Sequence, residues 1–436
     1  MKVRIVGGGL AGAEAAYRLL EAGVEVEVFE MRPDVQTPAH KTGGLAELVC
    51  SNSLKSDLAD TASGALKTEM RAFGSVVLRA AEKAKVPCGG ALGVDREIFS
   101  KEVERILSSY AGFHLVREEV RSLDLSIPTI VATGPLTSKA MSDALLELTG
   151  EEGLSFFDAA APIVTAESVD MDHAFFASRY GKGDKDYLNA PMNKEEYKAF
   201  YAALISAEKA KQEVGGAYFD GCMPIEIMAK GGEDCLRFGP LRPVGLRHPE
   251  TGEKYYAVLQ LRKENAAGDL YNLVGFQTSL TFPEQRRVFG LIPALKNAEF
   301  VRYGVMHRNT FINAPKILDG FFKVKKANAL WIAGQLSGVE GYMESAMSGM
   351  IAGLSAAAFV KGKALPPLPE TTIMGALSRY ISAENAAFQP MNANFGILPA
   401  PEKRIRDKAL RKAFYAERSA NDIKAYVLSL ESALKE

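Results

Sequence analysis

Two hydrophobic periodicities divide this chain. Val3 to Val6 is a short apolar run of the kind a buried strand carries, residues 10–22 place small and apolar side chains at helical spacing, and Val24 to Phe29 reads as a second strand. That is a βαβ unit. Further on, the pattern predicts helices over 63–85 and 95–109, short strands within 113–125, and an apolar strand from Thr129 to Thr133 that stops at Gly134. Asp95 is placed to cap the second helix, with Glu97 in its first turn. Between about 156 and 298 the character changes: a helical stretch over 193–213 is followed by strand-like 255–262 and 271–281, with Gly and Pro turns between them. A buried strand returns at Ala329 to Ala333, followed by a Gly-rich turn and a helix of small residues to about Val360. A charged helix is expected from about Glu402 onward.

These alternations predict an α/β fold, a Rossmann-type nucleotide domain with an inserted α+β domain, which the glycine turns read below make a glutathione-reductase-like FAD-binding domain. The expected division is 1–155 with 299–436 for the nucleotide domain, and 156–298 for an insertion facing substrate. A length of 436 residues accommodates two or three domains. Lys and Arg total 52 against 53 Asp and Glu, so any nucleic-acid contact must come from a local patch rather than from global charge. With 47% hydrophobic and 24% charged residues the composition is that of a soluble globular protein. Four cysteines are too few for a disulfide scaffold, and Glu14 and Arg18 interrupt the apolar stretch near the start. A cytoplasmic protein with reduced thiols, and no membrane association, is expected.

Gly7, Gly9 and Gly12 lie in GGGLAG, directly after a strand and before a helix. This is the context the dinucleotide fingerprint needs: a tight turn, close approach of backbone to pyrophosphate, and a helix N-terminus presenting unpaired N–H groups. Gly8, Leu10 and Ala11 belong to the same turn, and Glu30 ends the second strand, where a carboxylate accepts from ribose hydroxyls. The second Gly-rich turn, with Gly334, Gln335, Gly338, Glu340 and Gly341, together with Gly134 in TIVATGP, favours FAD over a free-standing NAD site. No second fingerprint appears, so a nicotinamide donor would bind without a Rossmann domain of its own.

Cys50 lies in ELVCSNSLKS, in a loop expected to face the flavin, and Cys222 lies in GCMPIE within the insertion. Neither forms a C-x-x-C pair, and no metal-ligand spacing is seen. Each is either a small apolar core residue or a nucleophile awaiting a nearby cation or base, for which Lys55, Lys230 and His173 are candidates.

The segments GGGLAGAEAA, ELVCSNSLKS, GCMPIE, GPLRPVGL, AGQLSGVEGYMESA and FQPMNANFG, spread over most of the chain, resemble the folate- and FAD-dependent tRNA uracil-C5 methyltransferases. Their sister family, the MnmG flavoproteins that modify the wobble uridine, shares the two Gly-rich turns. The resemblance implies methylation of the T-loop uridine 54 of tRNA to ribothymidine, with 5,10-methylenetetrahydrofolate as carbon donor and FAD, reduced by NAD(P)H, as reductant. No obligatory protein partner is implied. It implies that Cys222 attacks C6 of uracil and that Cys50 sits near the flavin, although the two roles are exchangeable at this stage. Tyr342 would cover a flavin or folate ring, or simply pack. His173 and Arg308 become candidates for folate, with Arg302, His307 and Asn309 offering further polar groups. Lys403, Arg404, Arg406, Arg411 and Lys412 form a basic run expected on the C-terminal helix, and Lys323, Lys325 and Lys326 a second one; each is a solvated face or a tRNA surface. The readings left standing beside this one are an MnmG-like enzyme, a plain NAD(P)H-dependent flavin oxidoreductase, and a protein in which FAD is only a fold element.

Overall fold

The structure is a computed structural model that describes residues 2–150, 154–181, 184–210, 217–218, 223–249, 251–386 and 388–435. Its central sheet is parallel throughout. The strands are β1 (Val3–Val6), β2 (Val26–Phe29), β3 (Phe113–Val116), β4 (Thr129–Val131) and β5 (Leu330–Ile332), in the order β5-β4-β1-β2-β3. Ile5 lies opposite both Val28 and Ile130, so the middle of the sheet is apolar on either side.

Helix α1 (Leu10–Glu21) crosses this sheet and is buried from Leu10 to Leu20. Its outer side is covered by a long helix from the far part of the chain, α4 (Tyr342–Val360). The two approach so closely that a Cβ on Gly349 would stand 2.0 Å from the Ala11 carbonyl oxygen. Residues Tyr342–Val360 are long and apolar enough to cross a membrane, but the apolar surface is buried mostly inside the protein. Burial forces the polar residues of α1 to find partners. Glu14 accepts from Ser75 and from the Val77 N–H at 3.0 Å, and Arg18 donates to the carbonyls of Phe73 and Gly74.

The helix expected over 63–85 is two helices: α2 (Ala62–Ala72), and a shorter one over Val76–Lys83. Gly74, at φ +72°, turns the chain between them, and Ser75 caps the second by accepting from Leu78. Helix α3 (Arg96–Ser108) starts where expected, its cap Asp95 accepting from Glu97 and Ile98. Of residues 271–281 only the beginning is strand, within Leu270–Leu273.

A six-stranded sheet with its own apolar core is built from Phe175–Phe176, Tyr187–Met192, Ala257–Lys263, Leu270–Leu273, Ile163–Thr165 and Phe300–Arg302, in that spatial order. It docks onto the loop after β2 beside Cys50: the buried Asn52 donates to the carbonyls of Lys263 and Glu264, and to that of Val94, at 3.0–3.1 Å. Toward the end of the chain, α5 (Ile373–Ser382) and α6 (Lys408–Lys435) pack on α2.

Candidate functional site

A cleft opens at the carboxyl end of β1, between the β1 turn, β4 and the start of α4. In open α/β sheets ligands enter there. Gly7 follows β1 directly, and Gly12 lets α1 close onto that turn, since a Cβ at Gly12 would be 1.9 Å from the Gly7 oxygen. Gly9 is different. A Cβ there would meet nothing within 4 Å, because the residue faces the cleft. Leu10 and Ala11 line the same wall, and α1 begins without any side-chain cap, so its first N–H groups are available to an anion. This is a cradle with room for a pyrophosphate.

Glu30, buried at the end of β2, accepts from the Gly8 N–H at 3.0 Å. It is also gripped by both arms of Arg32, at 2.8 and 2.9 Å. Burial alone would raise its pKa; Arg32 outweighs that and holds it below the ordinary value. Arg32 continues to Glu47 at 2.8 Å, and Glu47 in turn accepts from the backbone of Lys41 and Thr42. The result is a rigid loop under the cleft. His40, in its lining, is pushed down to about 4 by burial and by the Arg32 charge, and so is neutral at physiological pH.

The opposite wall is formed by Gly134, past the end of β4, and by Gly334 and Gln335, past the end of β5. The Gly334 N–H donates to Ser348 at 2.7 Å, while Gln335 donates to the Glu340 carboxylate. Gly338 packs under Phe388, where a Cβ would come within 2.4 Å of the ring, and Gly341 caps α4. Next to Gly341, Lys55 pairs with the buried Glu344 at 3.2 Å.

Where this wall meets the loop after β2, a thiol and a phenol touch. Cys50 Sγ lies 3.0 Å from Tyr342 Oη, and the same oxygen accepts the backbone N–H groups of Cys50 at 2.8 Å and Ser51 at 3.1 Å. Burial pushes the Tyr342 phenol well above its usual range, with the neighbouring thiol adding to the effect, so it remains protonated. Arg302, and Arg96, which the sequence did not single out, converge on the same loop, donating to the carbonyls of Val49 and Leu48. Arg262 holds Ser51 and Asn52 at 2.8 and 2.9 Å. Arg302 thus lies against the Cys50 loop through the Val49 carbonyl.

Residues 2–364 match the family described as Glucose inhibited division protein A. A protein from Natranaerobius thermophilus is 52% identical over 98% of this chain and 99% of its own length. One from Moorella thermoacetica is 54% identical over 96% of each. Both are named methylenetetrahydrofolate–tRNA-(uracil-5-)-methyltransferase TrmFO. The chain belongs to the TrmFO family. The GidA structure from Aquifex aeolicus in its form I crystal superposes with a TM-score of 0.71 at 16% identity, covering 100% of this chain and 77% of that one. At that identity the likeness carries the fold: an α/β, Rossmann-type architecture with an inserted domain.

The other residues singled out by likeness to the TrmFO family are dispersed. Cys222 lies outside the described residues. The segment just after it is anchored, with Ile225 donating to the Gln277 carbonyl and the buried Glu226 accepting from Thr278 and Ser279. His173 is not in the nucleotide cleft. It is 57% exposed, bonded to Asp170 at 2.8 Å, and lines a separate surface hollow with Phe175, His248 and Tyr255. Arg308 sits opposite Phe157 in the pairing of Met306–Phe311 with Leu154–Ala159; its side chain is not described. The basic run is split: Lys403, Arg404 and Arg406 precede α6 in irregular chain, and only Arg411 and Lys412 are in the helix, which Asp407 caps through Leu410. In the second run, Lys323 lies over the rings of Trp331 and Phe359, and the exposed Lys325 donates to the Pro315 carbonyl. Cys88 is buried and Cys235 exposed. Among the described residues no group of His, Cys, Asp and Glu is arranged to hold a metal ion.

Proposed function

We propose that the chain carries out the TrmFO reaction, methylation of uracil C5 in tRNA with methylenetetrahydrofolate as carbon donor, and that its target is the T-loop uridine 54. The observation that carries this reading is the Cys50–Tyr342 contact at the mouth of a cleft built for a dinucleotide. Gly9, the first turn of α1 and Glu30 would hold FAD by its pyrophosphate and ribose, and Gly134, Gly334, Gln335, Gly338, Glu340 and Gly341 would close the other wall. Bound FAD, kept reduced by NAD(P)H, supplies the two electrons that turn a transferred methylene into a methyl group.

The remaining chemistry belongs to the thiols. C5 of uracil is a poor nucleophile. Addition of a thiolate at C6 sends the electron pair into the enolate, and C5 attacks the methylene carbon as its iminium. Loss of the C5 proton then breaks the bond from that carbon to the carrier nitrogen and leaves an exocyclic methylene, and a hydride equivalent delivered to this methylene makes the methyl group and expels the thiolate from C6. Cys222 is assigned the attack, and Cys50, near the flavin, accepts the C5 proton or steadies the one-carbon carrier. The uridine must leave its stack to reach them, at a cost of about a few kcal/mol. Residues 156–298 would form the unit that faces tRNA, aided by Lys403, Arg404, Arg406, Arg411 and Lys412; folate contacts are assigned to His173 and Arg308. The protein is placed in the cytoplasm, with tRNA and folate.

The test is transfer of labelled carbon from methylenetetrahydrofolate into an unmodified T-arm transcript with NADPH present. Label in ribothymidine, lost in Cys222→Ala and in Cys50→Ala, is the expected result. A flavin-loaded, NADPH-reducible protein that transfers no label would overturn the assignment.

A further inference from the structure

The loop from Leu48 to Asn52 is held by more positive charge than its surroundings neutralise. Arg96, the first residue of α3, donates to the Leu48 carbonyl; Arg302, from the edge strand of the six-stranded sheet, donates to the Val49 carbonyl; Arg262, from the centre of that sheet, donates to Ser51 and Asn52. The facing acid is Glu264, which pairs with Arg96. The other titratable groups around the loop are the Tyr342 phenol, the neutral His40, which feels the Arg302 charge, and the Lys55–Glu344 pair beside Gly341. Three guanidinium groups thus face one carboxylate in a partly dehydrated interface, where Coulomb interactions are several times stronger than in water. Arg96 Nη2 and Arg302 Nε are buried there without a hydrogen-bond partner.

We propose that Arg302 and Arg96 are positioning residues that keep Cys50 as its thiolate. Each is tied to the backbone immediately before the thiol, so its charge is held near sulfur without touching the reacting atoms. The phenol adds to the arrangement. Two backbone N–H groups already occupy the acceptor positions of Tyr342 Oη, which leaves its own hydrogen to be donated to Sγ at 3.0 Å. On ionisation the thiol proton passes to solvent. The electrostatics are consistent with this. Burial works against both charges; at Arg96 it is outweighed, with Glu264 the largest support and Cys50 adding to it, and at Arg302, which Arg96 depresses further, Cys50 gives support. Since only the thiolate acts as nucleophile or proton acceptor, the state of Cys50 depends on the six-stranded sheet being docked.

The inference rests on Cys50 having a chemical role, but its test needs no turnover. In the FAD-loaded protein, the alkylation rate of Cys50 by iodoacetamide is followed on its own peptide as a function of pH. An unperturbed thiol has its midpoint at about 8.5; the wild type is expected below that. Arg302→Gln should raise the midpoint by about one unit, or about tenfold less thiolate at a fixed pH below it, and Arg302→Lys should restore most of the shift. Glu264→Gln, which keeps an oxygen for Arg96 but removes the opposing charge, should lower the midpoint. A merely structural role predicts shifts in one direction for both variants. Equal midpoints, or a rise in both, would overturn the proposal, and if Arg302→Gln does not fold, the sign of the Glu264→Gln shift decides.

Discussion

Two glycines of one turn separate binding from folding. A Cβ at Gly9 meets only the cleft, whereas a Cβ at Gly12 meets the Gly7 carbonyl oxygen at 1.9 Å. Gly9→Ala should therefore leave the stability of the FAD-free protein within about 0.5 kcal/mol of wild type, the usual range for a site without contacts, while FAD affinity falls tenfold or more. Gly12→Ala should destabilise the FAD-free protein by about 1–3 kcal/mol, the usual penalty of overpacking. Calorimetry with and without FAD distinguishes the two. Tyr342→Phe removes the oxygen that accepts from Cys50 and Ser51. Two part-buried N–H groups then lose this acceptor, and a loss of about 1 kcal/mol in denaturant unfolding is expected. At this scale the glycine turns and Glu30 were legible in the sequence, because their meaning lies in neighbours along the chain. Arg302 was singled out as a polar group, but its partner was not legible: it meets Val49 across 253 positions, and no local pattern encodes such a pairing. Nor could the sequence place His173, whose surface hollow is completed by His248 and Tyr255 far along the chain.

The elements were easier to read than their ends. β1, α1, α3 and β5 formed close to where hydrophobic period and caps placed them. The single helix expected over 63–85 failed at Gly74, where apolar spacing continues but the backbone reverses, and the tertiary partner that rewards the break is Glu14. The C-terminal helix began later than Glu402, at Lys408, where Asp407 supplies the cap. The stacking of α4 on α1 was foreshadowed by small residues on both helices, though not which face they share. Gly349→Ala would drive a methyl group to 2.0 Å from the Ala11 oxygen. Because α1 also forms the phosphate cradle, the variant should lose both stability, by about 1–3 kcal/mol, and FAD occupancy, read by melting and by flavin absorbance.

For the molecule as a whole, pH and salt give the informative responses. Glu69 on α2 is buried, accepting the N–H groups of Ile373 and Met374 at 2.7 and 2.8 Å and the hydroxyl of Ser419 on α6, and burial pushes it up to about 7. Between about 4.5 and 7 the folded chain then holds a proton that the unfolded chain has lost, so stability falls as pH rises through that window, by an amount on the order of 3 kcal/mol. Denaturant unfolding from pH 4 to 8 should display this slope, and Glu69→Gln should flatten it. Affinity for tRNA should decrease as salt rises, and neutralising Arg404 or Arg406 should reduce the log–log slope by about one per phosphate contact, measured by filter binding.

The cleft also has an order of manufacture. Its first wall is complete by Ser138, but Gly334, Gln335 and Tyr342 leave the ribosome only after most of the chain has been made. A nascent chain stalled before β5 has the pyrophosphate cradle and no far wall, and Cys50 in it lacks both Tyr342 and, until strand Phe300–Arg302 is made, Arg302. Flavin capture and completion of the surroundings of Cys50 are therefore late events, and chains stalled before Gly334 should remain colourless.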